Sequence, residues 1–255
     1  MNKRMKFALV LLALSVAVNV ALVLSYTRSQ NPSDAALANE PQAANADDAY
    51  LRYQKIFSQD EAEKILFKSP LDPARDGEFR IGIKCVEGIH AELTVYRAEN
   101  GRYQEVLQCP AVIGMNGPCK QASGDNRTPL GTWTVGAAFG IKEDPGSVIP
   151  YTQVTEDHYW RGDGGSPKYN TMVRRSEFPD EDYSDDEHII EYGSVYNYIL
   201  DMGFNKPCAP YVGSALFLHC WRGPNQGTHG CVAVAEENMV KILQTITPGT
   251  SITIY

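Results

Sequence analysis

Residues 218–231 read LHCWRGPNQGTHGC, from Leu218 to Cys231. The stretch holds two histidines and two cysteines in a chain with 5 histidines and 6 cysteines. Before it, Ala215 to His219 reads as a short strand. After it, Val232-Ala233-Val234 is a second apolar run of strand length. Gly223, Pro224, Asn225 and Gly227 make the segment between them a loop that turns the chain. His219, Cys220, His229 and Cys231 then admit three readings: a zinc site, a disulfide framework, or a cysteine nucleophile with its base.

Two nitrogens and two sulfurs are a legitimate zinc set. The spacing is wrong for structural sites, and on a regular strand His219 and Cys220 point to opposite faces. No metal and no other cofactor is expected. A disulfide from Cys220 to Cys231 or Cys208 suits an exported protein, and for Cys220 pairing stays as open as a free thiol. The surroundings of Cys231 favour chemistry instead. Gly230 lets a substrate approach the backbone closely and leaves N–H groups free for a developing oxyanion. A thiol needs help to ionise near neutral pH, and an imidazole gives it. His219 ends one strand and Cys231 opens the next, so the loop can bring them together. His229 is the rival base. It lies too close in the chain to be well placed for proton transfer, and its other role is to shape the turn.

Around this cluster the chain has the period of β-strands. Phe79, Ile81, Ile83 and Cys85 alternate with polar or small residues, Leu93 and Val95 repeat the pattern, and Val106 begins another run. Asn100-Gly101 is a hairpin turn, because both residues tolerate positive φ. Thr132 to Val135 and Ser251 to Tyr255 are further strands. Glu236 to Ile246 is a helix with Met239, Leu243 and Ile246 on one face, ended by Pro248-Gly249. The class is mainly β with few short helices. Gly140 to Tyr169 and Phe178 to Tyr192 read as long loops. The acidic residues Asp180 to Asp182 and Asp185 to Glu187 read as solvated.

The N-terminus has a different physics. Lys3, Arg4 and Lys6 precede an uncharged apolar run from Phe7 to Tyr26. About 20 such residues cross a bilayer, and the basic flank stays inside. Residues 1–26 are therefore expected to be a membrane anchor. A cleaved signal peptide is the alternative, although Val23-Leu24-Ser25 is a poor cleavage site. Residues 27–57 read as a flexible spacer. Residues 58–74 read as a lead-in helix opened by the capping box Ser58 to Glu61. Residues 75–255 are the working domain. It would lie outside the cytoplasm, in the periplasm or cell wall, held to the membrane by the N-terminal helix. The net charge of −8 argues against a nucleic-acid partner.

Thr228-His229-Gly230-Cys231 resembles the Ser/Thr-His-Gly-Cys signature of the L,D-transpeptidase (YkuD-like) catalytic domain, and His219 sits where that family has its base. Gly124 to Trp133, GDNRTPLGTW, is similar to the family's Thr-Pro-x-Gly segment. The resemblance implies a β-sandwich that acts on peptidoglycan stem peptides. Cys231 would attack at the diamino acid, D-Ala would leave, and an amine on a neighbouring stem or an anchored protein would resolve the thioester. It makes His219 the base, Cys220 its backbone support, and Gly230 with Cys231 the oxyanion donors. Thr228 and His229 would line the site, and Tyr151, Tyr159 and Trp160 are candidates for a substrate wall. Ala233 stands where many relatives carry Arg or Asn, and the loop after His219 is short. Both features resemble a branch with "LHC" and "GCVA" sequences. Two other functions fit the same chain. One is a hydrolase, an L,D-carboxypeptidase or amidase. The other is a non-catalytic wall-binding domain with Cys231 in a disulfide. Pairing among Cys85, Cys109, Cys119, Cys208 and Cys220 is left open.

Overall fold

The computed structural model describes residues 74–255. The expected anchor, spacer and capping-box helix lie outside the described residues. Among the described residues no helix is long and apolar enough to cross a membrane.

The alternating run becomes β1 (Phe79–Glu87), followed by β2 (His90–Glu99) and β3 (Arg102–Val112). Phe79, Ile81, Ile83 and Cys85 are all buried, as a period of two requires when one face meets the core. Asn100 and Gly101 turn β2 into β3 with φ of 52° and 72°, which suits the right-handed twist of a tight hairpin. β3 starts earlier than Val106, which lies on its exposed half. Short strands follow: β4 (Gly131–Thr134), β5 (Ala138–Gly140), β6 (Tyr151–Gln153), β7 (His158–Trp160), β8 (Met172–Arg174), β9 (Glu187–His188) and β10 (Ile199–Asp201). The chain closes with β11 (Phe217–Cys220), β12 (Val232–Val234), α1 (Glu236–Thr245) and β13 (Ser251–Ile254). α1 buries Met239, Ile242 and Leu243 at helical spacing.

Ten strands form one sheet in the order β4-β13-β1-β2-β3-β12-β11-β10-β5-β6, and β8-β7-β9 form a second. The molecule is mainly β, and the implied sandwich takes an unequal form. The small sheet meets the large one through Trp160 of β7. Its ring stacks on Phe139 of β5 at 5.7 Å and meets the edge of Phe217 of β11 at 4.8 Å. The large apolar area of these rings holds the layers together.

The acidic stretch is not simply solvated. Asp186 is fully enclosed and pairs with the equally buried Arg161 at 2.8 Å, while Glu181 meets the same guanidinium at 3.1 Å. The Gly162 N–H donates to Asp186 at 2.8 Å. Alternation of charge in sequence cannot reveal such a clamp, because Arg161 comes from a different loop. Breaking a buried pair leaves an uncompensated charge, at a cost of about 3–5 kcal/mol. Asp186→Asn is expected to lower stability by about 3 kcal/mol, the low end of that range, since Glu181 stays. A urea unfolding midpoint that does not move would show that the Arg161–Asp186 pair adds nothing to stability.

Candidate active site

β11 and β12 are neighbours in the middle of the large sheet, and they run parallel, with His219 beside Ala233 and Cys220 beside Val234. The loop 221–231 therefore crosses over and re-enters the sheet in the same direction, where a simple reversal would have made a hairpin. Cys231 precedes β12 by one residue and shares the face of Ala233, two residues on. His219 and Cys231 thus open on one side of the sheet. They line one pocket of about 460 Å³, together with Lys120, Glu187, Tyr192, Tyr196 and Trp221. Cys220 points the other way, and its thiol donates to the Tyr198 carbonyl at 3.7 Å. Among the described residues no group of three His, Cys, Asp or Glu side chains is arranged to hold a metal ion. All six cysteines are free thiols.

The histidine ring is buried, and its Nδ1 lies 2.8 Å from the Cys220 carbonyl oxygen. A carbonyl only accepts, so Nδ1 carries the hydrogen and Nε2 keeps its lone pair. Burial pulls His219 down to about 4, against the pull of the Cys220 and Val195 carbonyls, which favour the charged ring. Burial also pushes the Cys231 thiol up to about 12. Its proton is donated to the Ala215 carbonyl at 3.1 Å, and the sulfur accepts the Phe217 N–H at 3.4 Å. The resting pair is neutral, and no hydrogen bond joins the thiol to His219.

The loop that presents Cys231 is fixed from beneath by two threonines. Thr228 is buried; its hydroxyl accepts the Gly230 N–H at 3.1 Å and donates to the Cys231 carbonyl at 2.6 Å. Thr128, from the Thr-Pro segment, accepts the Gly114 N–H at 2.9 Å and donates to the Gly230 carbonyl at 2.9 Å. Gly114 is bridged to Thr228, and a β-carbon there would collide with the Asn126 carbonyl. Gly230 has φ of 130°, and a β-carbon would come within 2.8 Å of the Arg127 carbonyl. The Gly230 position is thus one of close packing. Its N–H, expected to be free for an oxyanion, is engaged by Thr228 in this geometry, because the hydroxyl lies in the path of that N–H.

Asp125 organises the rest of the Thr-Pro segment. Burial alone would raise its carboxyl, but bonds from Lys120, Gln121, Ala122 and Arg127 outweigh that and hold it below its usual value. His229 is exposed at the pocket rim, with Nδ1 3.0 Å from the Asn126 side-chain oxygen. The two motifs therefore interlock, although about a hundred residues separate them.

The three candidate wall aromatics lie elsewhere. Tyr151 donates to the Lys142 carbonyl at 2.9 Å. Tyr159 stacks on His188 at 4.3 Å, and Trp160 is the core ring between the sheets. None lines the pocket with Cys231. The aromatic wall comes instead from Trp221 and from Tyr192 and Tyr196, two residues of the 3₁₀ segment Ile189–Tyr196. Tyr196 meets the His219 ring edge-on at 5.4 Å. Trp221 was legible, since it follows the His-Cys pair directly. Nothing local marks the two tyrosines.

The family model for YkuD, the L,D-transpeptidase catalytic domain, matches residues 89–254. No curated protein matches the chain. Among solved structures the chain is similar to Bd1075 of Bdellovibrio bacteriovorus, at 16% identity and a TM-score of 0.36 over 71% of this chain and 48% of that one. It is similar to an L,D-transpeptidase (Yku) from Stackebrandtia nassauensis, at 15% identity and 0.32 over 74% and 61%. It is also similar to the helical cell shape determining protein Pgp2 from Campylobacter jejuni, at 11% identity and 0.36 over 76% and 53%. The chain spans less than two thirds of the length of each of these proteins.

Proposed function

The chain belongs to the L,D-transpeptidase catalytic domain family, and from that premise we propose that it is a cysteine-dependent L,D-transpeptidase of peptidoglycan stem peptides, held outside the cytoplasm by its N-terminal apolar segment. One observation carries the reading: His219 and Cys231 share one face of adjacent parallel strands and open into the same pocket.

The chemistry follows from that pair. A stem peptide enters with the carbonyl of its diamino acid over Cys231. As the sulfur–carbon bond forms, the thiol proton passes to Nε2 of His219. The Cys220 and Val195 carbonyls favour the resulting imidazolium. Transfer during attack suits a neutral thiol that is rarely ionised beforehand. The oxyanion needs donors in a water-poor pocket. The Cys231 N–H is the first candidate, and Gly230 joins only if its bond to Thr228 opens. His219 then returns its proton to the departing D-Ala amine, which leaves a thioester on Cys231. An uncharged amine from a neighbouring stem, or from an anchored protein, attacks the thioester and gives one proton to Nε2 of His219. The carbon–sulfur bond breaks, and the imidazolium returns that proton to the sulfur, which restores the thiol.

The test is to incubate the protein with purified disaccharide-tetrapeptide and read the products by mass spectrometry. A dimer lacking one D-Ala is expected. Tripeptide alone would make the protein a hydrolase on the same scaffold. Unchanged substrate with an unreactive Cys231 would leave a binding domain.

A further inference from the structure

The pocket holds one carboxylate that this mechanism does not use. Glu187 opens β9 at the end of the acidic run and faces the cavity shared by Cys231 and His219. Its Oε2 accepts the Tyr196 hydroxyl at 2.7 Å, and the Tyr192 hydroxyl lies beside the same group. Among the described residues no lysine or arginine pairs with it. Lys120, on the same pocket, is already tied to Asp125 at 2.8 Å. Arg222 lies on the wall beside His219. Burial raises the Glu187 carboxyl to about 7, against the two tyrosine hydroxyls, so the anion and the acid are about equally populated at neutral pH and the anion dominates above it. Ionised, it also opposes a thiolate on Cys231.

An anion kept in an enclosed pocket without a counter-ion is costly, and a cationic guest relieves that cost. We propose that Glu187 is the pocket's binding residue for an ammonium, the charged form in which an acceptor amine arrives; the amine passes one proton to the Glu187 carboxylate before it attacks the thioester as the free base. The Tyr196 hydroxyl donates to Oε2 and the Tyr192 hydroxyl bonds the same carboxyl group, and an ammonium adds its N–H donors to the lone pairs that two hydroxyls do not fill. A cation seated there also cancels the charge that opposes the thiolate, so filling the amine site eases chemistry at Cys231. The naming of the guest as the acceptor amine rests on the transpeptidase reading; the preference for an ammonium does not.

Two thiol reagents of similar size test the site without any peptidoglycan. Cys231 is labelled at about pH 8 with 2-aminoethyl methanethiosulfonate, a cation, and with methyl methanethiosulfonate, which is neutral. Rates are read by mass spectrometry on the Cys231 peptide. The cation-to-neutral ratio is expected to exceed that of N-acetylcysteine amide and to fall about tenfold in Glu187→Gln. Glu187→Asp keeps the charge and should keep the preference. If the glutamine variant does not fold, added salt must still lower the ratio in the unmodified protein. A ratio equal to that of the free thiol, or one that neither the substitution nor salt changes, overturns the proposal.

The disaccharide-tetrapeptide assay then separates this idea from the broader one. Glu187→Gln should shift products from dimer towards tripeptide, whereas a merely structural role would lower both together. A wild-type protein that forms neither product defeats the transpeptidase reading, while the labelling ratio still decides the ammonium site. A changed ratio with an unchanged product split keeps the ammonium site and overturns the acceptor as its guest.

Discussion

Cys231→Ala is expected to lower turnover of the tetrapeptide by at least about four orders of magnitude, to the level of the uncatalysed background. Neither neighbour can replace the thiol. Cys220 points to the opposite face of the sheet, towards the Tyr198 carbonyl. Thr228 spends its hydroxyl on the Cys231 carbonyl and the Gly230 N–H. The fold should survive, which makes the loss interpretable. The substitution removes one thiol bond to Ala215 and one from Phe217, worth about 1 kcal/mol each. Products and any covalent adduct are read by mass spectrometry, and the unfolding midpoint is read alongside. Cys231→Ala with full activity would show that the nucleophile lies elsewhere, and with it would fall the pairing of His219 as base.

The features that the sequence made legible are those that depend on neighbours along the chain. β1 and its partner strand follow from alternation, and the turn at Asn100-Gly101 follows from the φ angles those residues tolerate. α1 follows from apolar spacing. His219 and Cys231 could be singled out because each sits at a strand end beside a glycine-rich loop. The illegible parts depend on distant partners. Trp160 looked like a wall residue, yet it packs on Phe139 and Phe217 from two other strands. Asp186 and Glu187 lie in one acidic run. One is buried against Arg161, and the other faces the pocket under Tyr196. Composition treats them as the same kind of residue; long-range packing makes them different. The same holds for Gly230, whose tight packing against the Arg127 carbonyl hides behind an apparently catalytic glycine.

His219→Ala should cost about two to four orders of magnitude in turnover, the usual contribution of a positioned proton acceptor. The more informative expectation concerns what the substitution leaves alone. In many thiol enzymes an imidazolium–thiolate pair exists before substrate arrives, and the thiol then alkylates at a rate that hardly changes with pH near neutrality. Here the thiol is pushed up to about 12 and the imidazole down to about 4. The thiol proton rests on the Ala215 carbonyl, and the His219 Nδ1 hydrogen on the Cys220 carbonyl. The sign of both shifts favours the neutral forms. Between these two values the thiolate fraction therefore grows about tenfold for each unit of pH. Alkylation of Cys231 by iodoacetamide should climb steadily through the neutral range without a plateau. His219→Ala should change that climb little, because the ring does not hold the thiol ionised at rest. It should nonetheless abolish most turnover, because the ring is needed while the sulfur–carbon bond forms. A wild-type plateau near neutrality that disappears in His219→Ala would mean that the pair is charged at rest, and the proton transfer proposed for the attack would already have occurred before substrate binds.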